Sequence, residues 1–389
     1  MLPNTPSFLP TDNQRIFLAH CAVSPLFAEA AAAIGEFNAA LCRDGILALP
    51  NYFAFLSRFH HSGAQLLHTS ADNIAFVPNT ATALNMVANG YPFSPGDQVI
   101  SYIHEYPSNH YPWLLQRNRG VELVLLQDQP ATKDTGMTRG PQGWSMAELC
   151  RLVTERTKII ALSHVQFASG YAADLQQLGD FCHNHRIDLV IDCAQSLGCL
   201  PVLPEEYHIS ALAASGWKWL MGPLGSGLFY TSPEFRAKLE PTLAGTGLMR
   251  QDRDYLNHNW DPYDDARMFE YSTLPWDHII ALDAVINALF LTNNIIDIRD
   301  EIFRLQDIFL HHLDAELCPP VLFSAEHRSG IIGLLPKGNL QKIMADLQQE
   351  DVIMTGPAGF LRLAPHFYLT DAQMIRAAQT VNSVCAKYQ

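Results

Sequence analysis

The chain has 389 residues, 48% of them hydrophobic. That exceeds the length, about 250 to 300 residues, at which a single core stops growing, so a large domain and a smaller one are expected. With 39 acidic against 25 basic residues the formal net charge is −14, which excludes an electrostatic grip on nucleic acid and disfavours anionic membrane surfaces.

The opening MLPNTPSFLPTDNQRIF carries neither a basic stretch nor an apolar one. No apolar run reaches the about 18 residues of a membrane span, and the expectation is a soluble cytoplasmic protein with no membrane partner. Eight cysteines lie scattered without a CxxC pair and read as reduced, mostly buried thiols. The HNH at 183 to 185 and the FHH at 59 to 61 have no matching ligands elsewhere, so no metal is expected.

In chain order, short β-branched runs alternate with amphipathic stretches: IAFV and then ATALNMVANG, DQVISYI and then NHYPWLLQRN, VELVLL, KIIALSHV, DLQQLGDFCHNH, IDLVIDC. This alternation predicts an α/β domain round a mostly parallel sheet, with ligands carried by the loops after the strand ends. Helices are predicted over 275–292 and 296–315. Shorter pieces follow: SGIIGLL, a helix at NLQKIMADLQQE, FLRLAP, and a helix from Asp371, together a small α+β domain. The reading divides the chain into an N-terminal segment (1–15), a large domain (16–285) and a small one (286–389).

Four features carry chemistry. In SGWKWLMGPLGSGLF (215–229), Lys218 stands between two tryptophans after the predicted strand ISALAAS. A buried lysine loses part of its basicity, and its neutral amine attacks aldehydes to form a Schiff base. Alone, the pair also fits a lysine stem lying along aromatics. IDLVIDCAQ ends a buried strand in Asp192, a carboxylate that needs a cation such as a protonated pyridine nitrogen, although a helix cap would look the same. Gln195 stands near enough to donate to a phenolate oxygen on the same ring. VPNTATALN places the N–H groups of Thr80, Ala81 and Thr82 at a helix start, which suits a phosphate. Tyr106, in HEYPSNHYPW, is set to stack on a flat ligand. An aromatic aldehyde with a pyridine nitrogen and a phosphate is pyridoxal 5′-phosphate.

Over nearly the whole chain, from IFLAHCAVSP to RLAPHFYLT, the sequence resembles the class V aminotransferase family of fold-type-I pyridoxal-phosphate enzymes. SHVQFASG, DLVIDCAQSLG, SGWKWLMGPLGSG and LRLAPHFYLT carry the likeness in order. It implies a mostly parallel seven-stranded sheet with a smaller C-terminal domain, and a homodimer with shared active sites. It also implies that Lys218 holds the cofactor as a Schiff base, Asp192 pairs with the pyridine nitrogen and Gln195 faces the phenolic oxygen. Ser215 and residues 80 to 82 would bind the phosphate, Thr273 would reach the phosphate of the neighbouring subunit, and Arg362 would grip the substrate carboxylate with two parallel hydrogen bonds. The run GPLGSG follows the lysine instead of opening a first βαβ unit, which argues against a nicotinamide loop.

Three departures narrow the chemistry. Tyr106 and Trp217 stand where cysteine desulfurases have histidines, and residues 319 to 361 lack the cysteine that those enzymes carry before the arginine. Gln166 and Phe167 displace an asparagine common among relatives. The expected function is therefore β-elimination from an α-amino acid, a carbon–sulfur lyase reaction, with Lys218 as base and Tyr106 as acid toward the leaving group. A transaminase, an epimerase or kynureninase-like hydrolase, and a sensor that binds the cofactor without turnover are the alternatives. Residues 20–24, 166–168 and the neighbour's 245–275 are expected to read the substrate, with His20, His110 and His366 as candidate contacts.

Overall fold

The computed structural model describes residues 15–129, 141–251 and 254–388. Its strands are β1 (Ile16–Phe17), β2 (Ile74–Phe76), β3 (Gln98–Tyr102), β4 (Glu122–Leu126), β5 (Thr157–Ser163), β6 (Asp188–Asp192), β7 (Ala211–Ser215), β8 (Gly227–Thr231), β9 (Ile332–Leu334), β10 (Val352–Ile353) and β11 (Leu361–Leu363). Seven of them form one sheet in the order β2-β8-β7-β6-β5-β3-β4. Strand β8 alone runs against its neighbours, β2 and β7.

Strands β6 and β7 are buried at every residue, the condition that a near-continuous apolar run satisfies when both faces of a sheet are covered. Side chains alternate across it: Ile191 and Leu212 enter one core with Phe59 and Phe76, while Val190 and Ala213 enter another with Val77 and Phe229. Helices α1 (Ala28–Asp44) and α2 (Ala54–Leu67) pack on the helix Trp276–Val285, and α3 (Thr80–Gly90) lies on β7 and β8. The helix predicted over 275–292 ends as one π turn, Ile286–Phe290, and the next runs over Ile295–His312. The last, Asp371–Ala386, starts from a capping box between Thr370 and Gln373.

The start of the chain departs from the expected division. Strand β1 pairs in parallel with β10, and Ala19 bridges to Ala364, so residues the sequence assigns to the large domain join the C-terminal strands. Ile16 and Leu18, fully buried, find their apolar partners there. All eight cysteines are free, six of them buried. Among the described residues no single helix is long and apolar enough to cross a membrane, and no group of three or more His, Cys, Asp or Glu is placed to hold a metal.

Two buried histidines stand where this segment meets the C-terminal strands, their rings 5.1 Å apart between centroids. His20 Nδ1 donates to Ala364 O at 2.8 Å, so its Nε2 accepts from the Tyr368 hydroxyl at 2.7 Å. His366 Nε2 donates to Trp219 O at 3.0 Å while its Nδ1 accepts from Phe367 N at 3.0 Å. Both rings are thus bonded as neutral imidazoles. Burial holds His20 well below its ordinary pKa and brings His366 to about 4; His164, after β5, is brought to about 3. Unfolding restores values near 6.5, so the unfolded chain binds more protons as pH falls. Their contribution to stability is therefore complete above about pH 6.5 and is lost progressively from there down to about pH 3. His366→Gln is expected to flatten this loss by about 3 kcal/mol at about pH 4, read from unfolding midpoints against pH. An unchanged slope would contradict the neutral-ring account.

Candidate active site

The carboxyl ends of β5, β6 and β7 bring Ser163, Asp192 and Ser215 to one end of the sheet, with Ser163 in register beside Asp192. In an open α/β sheet this end is where ligands bind. A cavity of about 600 Å³ opens there, and among the described residues Lys218, Asp192 and Arg362 are the charged side chains that border it.

Lys218 lies just past β7, and its Nζ stands 5.6 Å from the centroid of the Tyr106 ring. Withdrawal from water lowers its pKa, against the attraction of Asp192, while Arg362 adds to the lowering. Asp192 is buried, and desolvation raises its carboxyl despite the Lys218 charge and the N–H of Ala194, which donates at 2.8 Å. The two tryptophans beside Lys218 differ in role. Trp217 borders the cavity, whereas Trp219 is fully buried and gives its indole N–H to Gln195 Oε1 at 3.3 Å. A buried indole needs such an acceptor. Gln195 Nε2 in turn donates to Cys21 O at 2.9 Å, which leaves one amide hydrogen to face the cavity.

The turn that carries Lys218 is held from the N-terminal segment. Ser24 Oγ donates to Lys218 O at 2.6 Å, Ser24 N to Trp217 O at 2.9 Å and Phe27 N to Met221 O at 3.0 Å. Cys21, Ala22 and Val23 consequently border the same cavity.

At the opposite wall α3 begins. Asn79, extended at φ −172°, is its N-cap and accepts from Thr82 N at 2.8 Å. Asn79, Thr80 and Ala81 border the cavity. Thr82, expected among the phosphate donors, spends its N–H on this cap and is not part of the lining. Thr80 Oγ1 and Ser215 Oγ meet at 3.0 Å, two hydroxyls beside the positive end of a helix.

Arg362, in β11, is buried: Nη1 donates to Phe167 O and Nη2 to Thr355 Oγ1, both at 2.8 Å, while Nε has no partner. The other expected contacts lie elsewhere. Thr273 is exposed and outside the cavity of this chain, His110 stands before the short helix Tyr111–Leu115, and His20 and His366 are committed to the bonds described above. Gln166 faces inward: its Oε1 accepts from the N–H groups of Ala168 and Ser169, so of the 166–168 loop it is Phe167 that reaches the cavity.

One residue escaped the sequence reading. Glu105 receives the Ser163 N–H at 2.8 Å and the Ser163 hydroxyl, and Asn109 donates to it at 3.3 Å. Desolvation pushes its carboxyl up to about 7 against those bonds, and the Asp192 charge adds to the rise. Its signal was an acidic residue directly before the aromatic platform, which in a single sequence resembles any loop carboxylate.

This donor set fits pyridoxal phosphate. Backbone N–H groups and two hydroxyls offer a place for its phosphate, a buried carboxylate raised by desolvation suits its ring nitrogen, and an amine of lowered basicity suits its aldehyde.

A family model described as "Aminotransferase class-V" matches residues 26–360. A probable cysteine desulfurase of Methanothermobacter thermautotrophicus is 30% identical over 256 residues, 65% of this chain and 60% of that protein. The chain spans about half the length of the curated relatives it matches. Among solved structures, the apo cysteine desulfurase of Thermococcus onnurineus NA1 superposes with a TM-score of 0.85 at 21% identity, covering 98% of this chain and 97% of that one. A cystine C–S lyase, solved with its product cysteine persulfide, gives 0.84 at 19% identity and coverages of 95% and 98%. At these identities the structural likeness speaks for the fold, and the family match for membership: this chain belongs to the class V aminotransferase family.

Proposed function

We propose that the protein is a pyridoxal-phosphate-dependent carbon–sulfur lyase that acts on an α-amino acid by β-elimination. The observation that carries this reading is the convergence of Lys218, Asp192, the start of α3 and Arg362 on one cavity. Relatives named cysteine desulfurase support the carbon–sulfur class. The absence of cysteine from 319 to 361 argues for elimination over sulfur transfer to a thiol of that segment.

Lys218 would hold the cofactor, with Thr80, Ala81 and Ser215 at its phosphate, Asp192 at its ring nitrogen, Gln195 at its phenolic oxygen and Tyr106 against its face. When bound, the cofactor supplies the electron sink that stabilises a carbanion at the substrate Cα. Arg362 takes the substrate carboxylate, while Phe167 and Thr355 fix the guanidinium plane. Lys218, released when the substrate amine takes its place on the cofactor, would be the amine that accepts the proton from Cα, its basicity lowered by withdrawal from water. The Tyr106 hydroxyl delivers a proton to the departing sulfur.

We also infer a homodimer. Leu256 is 90% exposed and Trp260 66% exposed, on the 245–275 segment that also carries Thr273. A second copy covering that segment would remove those apolar surfaces from water.

Lys218→Ala is expected to abolish the absorbance of the bound cofactor's covalent form and to reduce turnover about 10²- to 10⁴-fold or more; a coloured, active variant would remove Lys218 from its role. Arg362→Lys should raise KM for amino-acid substrates about tenfold, since an ammonium cannot offer two parallel N–H groups, and an unchanged KM would move the carboxylate site. Mixing the cofactor-loaded protein with L-amino acids and no keto acid should give repeated turnovers, with keto acid and ammonia accumulating. Stoichiometric conversion to pyridoxamine phosphate would instead establish a transaminase.

A further inference from the structure

Glu105 does not border the cavity, yet it joins two segments that do. Pairing of β3 with β5 ends at Ile100 and Ile160. Further along β5, Ser163 gives its N–H to Glu105 Oε1 at 2.8 Å and its hydroxyl to Glu105 Oε2. Oε2 also accepts from Asn109 Nδ2 at 3.3 Å, and Asn109 Oδ1 in turn takes the indole N–H of the buried Trp113 at 3.0 Å. A main-chain N–H and an amide already turned toward Trp113 cannot reverse to accept, so both side-chain oxygens of residue 105 must be acceptors. A carboxylate meets that demand, and an amide does not.

This clamp holds the loop after β3 against the end of β5. The residue after Glu105 is Tyr106, whose ring lies 5.6 Å from Lys218 Nζ and meets Phe167 edge to face at 5.2 Å between centroids. Tyr106 is 45% exposed, so the backbone of its loop, more than packing in the core, sets where the ring stands. On the other side of the clamp, Ser163 borders the cavity and pairs in register with Asp192. A further bond, from Gln166 Nε2 to His104 O at 3.1 Å, joins the same two segments.

We propose that Glu105 is a positioning residue: by clamping the loop after β3 to the end of β5, it holds the Tyr106 ring where it faces the cofactor beside Asp192. The proposal rests on the pyridoxal-phosphate reading above and adds to it a residue that acts through Tyr106.

A double-mutant cycle on cofactor affinity tests it. Apoprotein carrying Glu105→Gln, Tyr106→Ala or both is titrated with pyridoxal 5′-phosphate, and Kd is read from the absorbance of the bound cofactor. Glu105→Gln sets an NH₂ group against a donor in either orientation of its amide and is expected to raise Kd about tenfold. Tyr106→Ala should raise it about three- to tenfold. In the Tyr106→Ala background the same glutamine should add less than about twofold, because the loop no longer carries the ring. A merely structural role would make the two factors multiply, and factors that multiply would overturn the proposal while leaving the cofactor reading in place. A Glu105→Gln protein with Kd within about twofold of the unaltered protein would overturn it as well. Glu105→Asp, which keeps both acceptor oxygens on a shorter stem, replaces the glutamine variant if that one does not fold, with the same loss of effect expected beside Tyr106→Ala and the same multiplying factors counting against it. An unaltered protein that takes up no pyridoxal 5′-phosphate would overturn the cofactor reading and this proposal together.

Discussion

A carboxylate and an amine placed at the dry ends of neighbouring strands govern the rest of this molecule. Asp192 and Lys218 each lose hydration in the cavity, and each partly offsets the loss of the other, which leaves Asp192 raised and Lys218 lowered. Such a pair is stable only if the surrounding backbone holds both groups rigidly. The parallel register of β5, β6 and β7 supplies one half of that rigidity. A turn tied down from elsewhere supplies the other.

The tie comes from residues 16 to 27. They pair with β10, bridge to Ala364 and donate to the carbonyls of Trp217, Lys218 and Met221. His366 reaches the same turn through Trp219 O, so the lysine is braced from both chain ends. The lysine between two indoles makes sense on this view. One indole is a cavity wall, and the other is a buried strut whose N–H orients Gln195. Because the bracing histidines must stay neutral, the site inherits their sensitivity to acid.

The cavity sets its charged groups, Lys218, Asp192 and Arg362, against an aromatic wall of Tyr106, Phe167 and Trp217. Replacement of two histidines by aromatic residues, legible in the sequence as a departure from desulfurases, thereby acquires a physical meaning. It exchanges titratable groups for aromatic surface on the cavity wall.

Local pattern carried much of this protein into view. The alternation of apolar strands with amphipathic helices determined the α/β class. Asp192 at a strand end, Lys218 after another, and the small residues opening α3 were visible because each depends only on its own strand and the turn that follows. Long-range pairing was not visible. The joining of Ile16 to Val352, the use of the Thr82 N–H by Asn79, the inward turn of Gln166, and the contact of Glu105 with Ser163 depend on which surfaces meet after folding. Spacing along a chain encodes the period of a strand or a helix. It does not encode which of several equally polar groups is closest when the sheet and the chain termini come together, and that proximity decides which N–H is spent on a cap and which remains for a ligand.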